Sequence, residues 1–348
     1  MPTDLKTLFK TVSGEIARID FSRLWPGFEP LRFALYNESE CCFDWEMIEK
    51  TPAFCANTSI EYEGEQIAIW NVMEEMEPAV FASKMVHEMF HGFQNVRGWG
   101  CFPNDVEALM RYENSAEALS VKLRENALLL ELLEGHDENK LEELLALRRA
   151  RLERFPYETE YEAMTEEIEG SANYVEWKVL EQLAPERAEA LINDMRARLT
   201  DADRLLPARI PCYYTGALFI NALARAGRSD YEPAERPYLL SLIRSAEPKA
   251  EPFTAIDPAA SEAVRSYNAE TERIISAALD RGNVVLKGPL TLVCPNIYNA
   301  RRLGEYITST FFLMYSDGAE NKLAYGNFVV KMRDGRTIEE AYEWPKED

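Results

Sequence analysis

Two of the chain's three histidines lie four residues apart, in the segment His87-Glu88-Met89-Phe90-His91. Residues at this spacing share one face of a helix, so both imidazoles can reach a single ion while Glu88 lies beside it. Such a pair suits Zn²⁺, which in catalytic sites is held by three protein groups and keeps one position for water. A neighbouring carboxylate can take a proton from that water and later pass it on. The segment therefore predicts a zinc-dependent hydrolytic site with Glu88 as general base and acid.

Chance does not readily explain this arrangement. With three histidines in 348 residues, two at this spacing with Glu after the first occur in roughly two of a thousand random arrangements. Structural histidines are the alternative, but two adjacent buried imidazoles need polar partners, which a metal ion supplies directly. The remaining histidine, His136, lies in a polar turn and is expected at the surface. The residues around the pair are apolar, as expected for a buried helix: Val80, Phe81, Val86, Met89, Phe90 and Phe93.

Two later glutamates are candidates for the third zinc ligand. Glu169 precedes Gly170, a small residue that lets its helix approach another closely. Glu113 is nearer to the histidines in the chain, and Glu117 follows it by one helical turn, where it could orient a ligating histidine. We favour Glu169 because of its small neighbours and keep Glu113 as the alternative.

The segment Glu169-Gly170-Ser171-Ala172-Asn173-Tyr174 resembles the third-ligand helix of gluzincin peptidases, where the Glu before Gly binds zinc. The stretch from Glu113 to Glu117 resembles instead the Glu-x-x-x-Asp pattern of thermolysin- and neprilysin-type enzymes, with Glu117 in place of Asp. The gap from His91 to Glu169 is longer than is usual in gluzincins. A broader resemblance, to a little-characterised set of bacterial gluzincin-like peptidases, covers most of the chain through Asn57–Gly64, Gln94, Arg148, Arg151 and Tyr214–Leu218.

This resemblance implies a zinc metallopeptidase that acts on a peptide or protein. In gluzincins an edge strand before the zinc helix pairs with the extended substrate, and residues 66–70 occupy that place here. The oxyanion formed during hydrolysis also needs a hydrogen-bond donor. We favour Tyr214 as this donor because the nearby Gly216 suggests close packing at the site. The other candidates are Tyr213, Tyr174, Arg148 and Arg151.

Hydrophobic periodicity divides the chain into four parts of an α+β protein. Residues 1–77 alternate in short stretches and predict a small antiparallel sheet that belongs to the catalytic domain. Residues 78–246 have helical periodicity and predict a zincin-like core, with helices near 78–97, 105–134, 138–154, 158–184, 186–199 and 214–226. A Pro-bearing linker and one helix occupy 247–280, and residues 281–348 predict a C-terminal β unit.

Composition narrows the partners and the compartment. The formal charge of −22 opposes a nucleic-acid partner. No run reaches the 18 apolar residues of a membrane span. The six cysteines are scattered and the start does not resemble a signal peptide, so we expect reduced thiols in the cytoplasm. Oligomeric state is left open.

Two other functions agree with the same residues. A catalytically inactive scaffold could retain zinc and bind peptides, although the intact Glu88 favours an enzyme. A hydrolase of non-peptide amides could use the same metal chemistry, and the sequence does not separate it from a peptidase.

Overall fold

The computed structural model describes residues 4–228, 236–248 and 255–344. They form an N-terminal five-stranded sheet, a helical core and a C-terminal seven-stranded sheet, so the predicted α+β class is confirmed. None of the helices in these ranges combines the length and apolar character needed to cross a bilayer.

Helix α1 (Leu5–Ile16) precedes the N-terminal sheet, whose strands are β1 (Phe33–Tyr36), β2 (Glu40–Phe43), β3 (Glu46–Glu49), β4 (Thr58–Tyr62) and β5 (Glu65–Asn71). The strand order is β3-β2-β1-β5-β4. The predicted antiparallel pairing is found except between β1 and β5, which run parallel. The chain passes from β3 at one edge to β4 at the other, so β5 returns beside β1 in the same direction. As a result β5 is an interior strand and β4 an edge strand.

The helical part of the described chain comprises α2 (Pro78–Val96), α3 (Asp105–Arg111), α4 (Ala116–Glu134), α5 (Glu138–Arg154), α6 (Pro156–Thr165), α7 (Ser171–Leu183), α8 (Pro185–Leu199), α9 (Arg209–Arg225), α10 (Tyr238–Ser245) and α11 (Pro258–Arg281). The stretch 105–134, which was predicted as one helix, forms two helices. Tyr112 has extended backbone angles, and the Ser115 side chain caps α4 by accepting a hydrogen bond from the Ala118 N–H. The predicted helix 158–184 is likewise interrupted, by a π-helical turn at Glu166–Gly170.

One apolar core joins the first sheet to the helices. It contains Phe9 of α1, Phe33 of β1, Phe90 of α2, Trp177 of α7 and Leu218 of α9, all buried. Helix α2 packs against β5 on one side and α7 on the other. The helix that carries both histidines is therefore held from both sides by rigid elements.

The C-terminal sheet has its own core and consists of β6 (Val284–Pro295), β7 (Arg302–Leu303), β8 (Tyr306–Ser309), β9 (Phe312–Ser316), β10 (Asn321–Tyr325), β11 (Phe328–Met332) and β12 (Thr337–Glu343). Its strand order is β10-β9-β6-β12-β11-β8-β7. Val106 and Met110 of α3 pack against this core, and Ile274 of α11 packs against Val329. The sheet is thus attached to the helical part through α3 and α11.

Two glycines allow the backbone of the π-helical turn to contact the backbone of α9. A Cβ on Gly170 would lie 2.5 Å from the Gly216 Cα, and a Cβ on Gly216 would lie 2.7 Å from the Glu166 carbonyl oxygen. Both distances are far inside ordinary van der Waals contact. Gly170, the small residue after Glu169, thus permits close helix packing. The helix that it contacts is α9 rather than α2.

We expect Gly216→Ala to destabilise the protein, because the added methyl group meets backbone atoms that cannot rotate away. Overpacking of this kind costs roughly 1–3 kcal/mol. Gly14→Ala in α1 is the matched control, since nothing lies within 4 Å of its added Cβ and replacing a helical glycine stabilises by roughly 0.5–1 kcal/mol. Urea unfolding measures both variants. Equal stability of the two would contradict the close contact.

Candidate metal centre

The side chains of His87 and His91 project from α2 with their ring centroids 4.9 Å apart. Their Nε2 atoms face Oε2 of Glu169, at 3.8 Å from His87 and 3.3 Å from His91. One ligand atom from each of the three residues lies within 4.8 Å of the others. Two ligands of a tetrahedral zinc ion are roughly 3.3 Å apart, and two imidazoles with one carboxylate are a donor set of catalytic zinc sites. The three residues therefore fit a zinc ion.

Glu169 reaches the histidines from the π-helical turn between α6 and α7. A π turn inserts residues into the helical repeat and so redirects the side chains next to it; such turns are frequent at functional sites. Because α7 packs directly on α2, the redirected Glu169 lies over the two imidazoles with a side chain that is 14% exposed.

Gln94, one turn after His91, sets the orientation of that imidazole. Nδ1 of His91 lies 2.8 Å from Oε1 of Gln94. The Gln94 amide nitrogen donates to the Ile168 carbonyl and to the Ser171 hydroxyl, both at 2.9 Å. Since a carbonyl can only accept, Gln94 must turn its NH₂ group to Ile168 and its oxygen to His91. His91 therefore donates its Nδ1 proton to Gln94, and Nε2, which faces Glu169, is the nitrogen that can bind a second proton or a metal ion.

Glu176 orients His87 in the same way. Oε2 of Glu176 lies 3.1 Å from Nδ1 of His87, and Oε1 lies 3.3 Å from Nζ of Lys84. Burial alone would raise the pKa of Glu176, but the hydrogen bond with His87 and the charge of Lys84 lower that pKa to about 2. The ionised carboxylate beside Nδ1 favours a proton on that nitrogen, and Nε2 of His87 is then the nitrogen available to a metal.

Arg209 holds the second oxygen of Glu169. Its Nη2 donates to Oε1 of Glu169 at 2.7 Å, and its Nη1 donates to Oδ1 of Asp105 at 2.6 Å. The Tyr161 hydroxyl donates to the same Asp105 oxygen at 2.9 Å. Burial alone would raise the pKa of Glu169, but the charge of His91, with the hydrogen bonds to the carboxylate, lowers that pKa well below its usual range. Glu169 is thus ionised, with Oε2 directed at the histidines.

The carboxylates around the two imidazoles favour a positive charge between them. Burial lowers the pKa of His87, but its contacts with Glu169 and Glu176 outweigh this effect and raise the pKa to about 10. A proton and a metal cation compete for the same ring nitrogen. The electrostatics of the site therefore favour a cation at Nε2.

Glu88 borders a cavity of about 500 Å³ that also contains the three candidate ligands. Its side chain forms no hydrogen bond or ion pair with the residues that the structure describes. Burial raises the pKa of the Glu88 carboxyl, and the charges of His87 and His91 offset this only in part. A partly buried carboxylate with a raised pKa and no structural partner among the described residues is suited to accept and return a proton.

All three parts of the chain contribute to the walls of this cavity. The first sheet contributes Thr58, Ser59 and Trp70; the helical part contributes Phe102, Leu191, Ile210, Tyr213 and Tyr214; and the C-terminal unit contributes Tyr298. The cavity is therefore lined by both polar and aromatic side chains, with Asn57, Asn95 and Asn173 also at its walls.

Glu113 lies away from the histidines. It follows α3 in the chain, its backbone N–H donates to the Glu158 carboxylate at 3.1 Å, and it borders a separate cavity of about 210 Å³. Its neighbour Glu117 lies 3.4 Å from Arg154 in an ion pair. Of the two candidate third ligands, the structure brings Glu169 to the histidines and places Glu113 elsewhere.

Two of the predicted oxyanion donors belong to a buried ionic network. Arg148 pairs with Glu166 at 2.5 Å, and Arg151 pairs with Glu125 at 2.9 Å and with Glu162 at 2.7 Å. These side chains are almost fully buried and do not border the cavity. Arg148 and Arg151 therefore have a structural role and cannot reach a substrate.

The predicted tyrosine donors differ in position. Tyr174 packs between Trp25 and Trp177, away from the cavity. Tyr213 and Tyr214 both border the cavity. The hydroxyl of Tyr214, the favoured candidate, donates to Oδ2 of Asp194 at 3.1 Å, so its proton already has an acceptor.

The strand that was expected to bind a peptide at a sheet edge lies inside the sheet. Residues 66–70 belong to β5, which pairs with β1 on one side and β4 on the other. Its backbone groups are already paired, so it cannot take up a substrate strand. The edge strand at the cavity is β4, through Thr58 and Ser59.

Three further groups at the site were not predicted from the sequence: Glu176, Arg209 and Tyr298. Glu176 follows Glu169 by seven residues, close to two helical turns, and this spacing is a signal that could have revealed it. Arg209 and Tyr298 have no local signal, because each comes from a different element far along the chain.

Fold and site together define a class: an α+β protein in which two histidines and one glutamate lie close enough together to hold a metal ion. Comparison with known protein families, curated proteins and solved structures finds no match to this chain. The residues of the site and their geometry are therefore the basis for its chemistry.

Proposed function

We propose that this chain is a zinc-dependent metallopeptidase. The observation that carries the proposal is the convergence of His87 Nε2, His91 Nε2 and Glu169 Oε2 beside Glu88. Zinc bound by these residues would polarise the substrate carbonyl and make an attacking water more acidic.

Glu88 moves the proton in this proposal. It takes a proton from water as the water oxygen bonds to the carbonyl carbon and the carbonyl electron pair moves onto its oxygen. It then gives that proton to the amide nitrogen as the C–N bond breaks and the carbonyl re-forms. The raised pKa of Glu88 supports both steps, because the group must bind the proton and then release it.

The edge strand β4 supports a peptide as the substrate. On one side β4 pairs with β5, and among the described residues no strand pairs with its other side. Because Thr58 and Ser59 border the cavity, an extended peptide that pairs with β4 would run past the metal centre. A peptide fits this arrangement better than a compact non-peptide amide does.

The inactive-scaffold alternative has less support. A protein that only holds zinc needs the ligands and the residues that orient them, but it has no use for Glu88. The partly buried side chain of Glu88 nevertheless lies at the cavity beside the ligands, without a structural partner among the described residues. This placement favours a chemical role.

We infer that the chain acts in the cytoplasm on peptides or proteins. All six cysteines are free thiols, which is typical of a reducing compartment. The net charge of −22 further disfavours a nucleic-acid partner.

The proposal predicts that wild-type protein purified without chelators contains about one zinc ion per chain. His87→Ala should lose the metal, because the two remaining ligands cannot retain it. His136→Ala is the matched control, since His136 is exposed beside Glu138, and it should keep the zinc. Elemental analysis measures the metal, and mass spectrometry of a peptide mixture measures cleavage. A zinc-free wild type that cleaves no peptide would rule the proposal out.

A further inference from the structure

The C-terminal β unit contributes one residue, Tyr298, to the cavity of the metal centre. Tyr298 lies in the loop between β6 and β7. Asn296 fixes this loop, because its backbone N–H donates to Ser309 at 2.8 Å and its carbonyl accepts from the N–H of Ala300 at 3.0 Å. The ring, which is about half exposed (49%), therefore reaches the cavity from outside the helical core.

The hydrogen bonds behind Tyr298 have a defined direction. Nη2 of Arg209 donates to the Tyr213 hydroxyl at 3.3 Å, and Tyr213 and Tyr298 border the same cavity with their side chains close enough for a hydrogen bond between them. A guanidinium has no acceptor atom, so the Tyr213 oxygen accepts the hydrogen bond from Arg209. The Tyr213 hydroxyl must therefore direct its own proton to another acceptor. That proton goes to the Tyr298 oxygen. The Tyr298 proton then points away from Tyr213, and no described residue other than Tyr213 shares a hydrogen bond with this hydroxyl.

The same guanidinium links this chain of hydrogen bonds to the metal centre. Arg209 also donates to Glu169 and Asp105, and its charged carbon lies 5.7 Å from the Tyr213 ring centroid and 5.8 Å from that of Tyr298. Arg209 is buried, so its position is fixed by these partners. Arg209 therefore adjoins Glu169 on one side and the two tyrosines on the other, and Glu169 and both tyrosines border the same cavity.

We propose that Tyr298 is the catalytic hydrogen-bond donor to the carbonyl oxygen that becomes negatively charged during hydrolysis, with Tyr213 and Arg209 as positioning residues. This role rests on the proposed peptidase function. Tyr214 is unsuited to it because its proton is directed at Asp194. The C-terminal β unit is then part of the active site, because it brings the donor to a metal centre that the helices build.

Tyr298→Phe tests the role, since it removes the hydroxyl and keeps the ring. Loss of one donor to a developing oxyanion lowers kcat by roughly 10²–10³-fold, and we expect such a loss with KM and zinc content near wild type. Tyr214→Phe is the comparison variant, and its kcat should fall less than that of Tyr298→Phe. Tyr213→Phe should lower kcat by a smaller factor and add little to Tyr298→Phe, because both act on one hydroxyl.

A second measurement does not depend on turnover. A phosphinic pseudopeptide carries a tetrahedral anionic centre, whereas a thiol peptide with the same side chains binds zinc without one. Calorimetry on zinc-loaded protein should show that Tyr298→Phe weakens binding of the phosphinic compound much more than binding of the thiol compound.

The outcomes separate this role from the proposed function. If zinc-loaded wild type binds both compounds and Tyr298→Phe weakens neither, or if Tyr214→Phe has the larger effect, the role of Tyr298 is refuted and the metallopeptidase proposal stands. If wild type binds no zinc, the proposed function is refuted, and the role of Tyr298 is refuted with it.

Discussion

Glu88→Gln is expected to lose nearly all peptide hydrolysis while it keeps its zinc. The amide has nearly the same size and fits the same cavity wall, but it cannot accept the proton of the attacking water. Removing a general base of this kind lowers the rate by roughly 10²–10⁴-fold. Steady-state kinetics on the zinc-loaded variant measures the loss, and elemental analysis shows that the metal remains.

Glu134→Gln is the matched control for charge. Glu134 is exposed at the end of α4 and pairs with Arg196, so this change removes one negative charge far from the cavity. It should leave hydrolysis at the wild-type level. Undiminished hydrolysis by Glu88→Gln would remove Glu88 from its proposed role, whatever the metal content.

Glu169→Gln is expected to have the second large effect, on zinc affinity. Its amide oxygen can still accept the hydrogen bond from Arg209, so the buried guanidinium keeps a partner and the fold is preserved. The carboxylate ligand is lost. Removing a group that only orients a ligand weakens zinc binding roughly 10–100-fold, and loss of the ligand itself should exceed that range.

Glu113→Gln provides the matched comparison, because Glu113 was the alternative ligand and borders a different cavity. Competition with a zinc-binding dye gives the affinity of each variant, and circular dichroism confirms that both are folded. A larger loss of affinity in Glu113→Gln than in Glu169→Gln would contradict the arrangement of ligands described above.

The histidine pair could be located from the sequence because its geometry is local. A helix predicted near 78–97 is found at Pro78–Val96, and a spacing of four residues places His87 and His91 together on any regular helix. The apolar residues around them predicted burial, and the helix is packed on both sides. Rigid helical geometry is sufficient to specify this part of the site.

The position of Glu169, the proposed third ligand, was only partly predicted by the sequence. Small residues beside Glu169 indicated close packing, and Gly170 does lie against Gly216. Periodicity alone, however, predicted a continuous helix over 158–184, whereas a π-helical turn interrupts it at Glu166–Gly170. That turn depends on packing against α9, which is distant in the chain, so local propensity could not reveal it.

The sequence by itself determined the α+β class and the helix with its two histidines. Only the tertiary structure decided that Glu169 rather than Glu113 meets them, that β4 rather than β5 is the edge strand, and that Arg148 and Arg151 are buried in ion pairs. The physical reason is distance along the chain. Spacing within one helix or strand sets local geometry, but strand order, helix packing and the approach of Tyr298 depend on contacts between elements that no local pattern encodes.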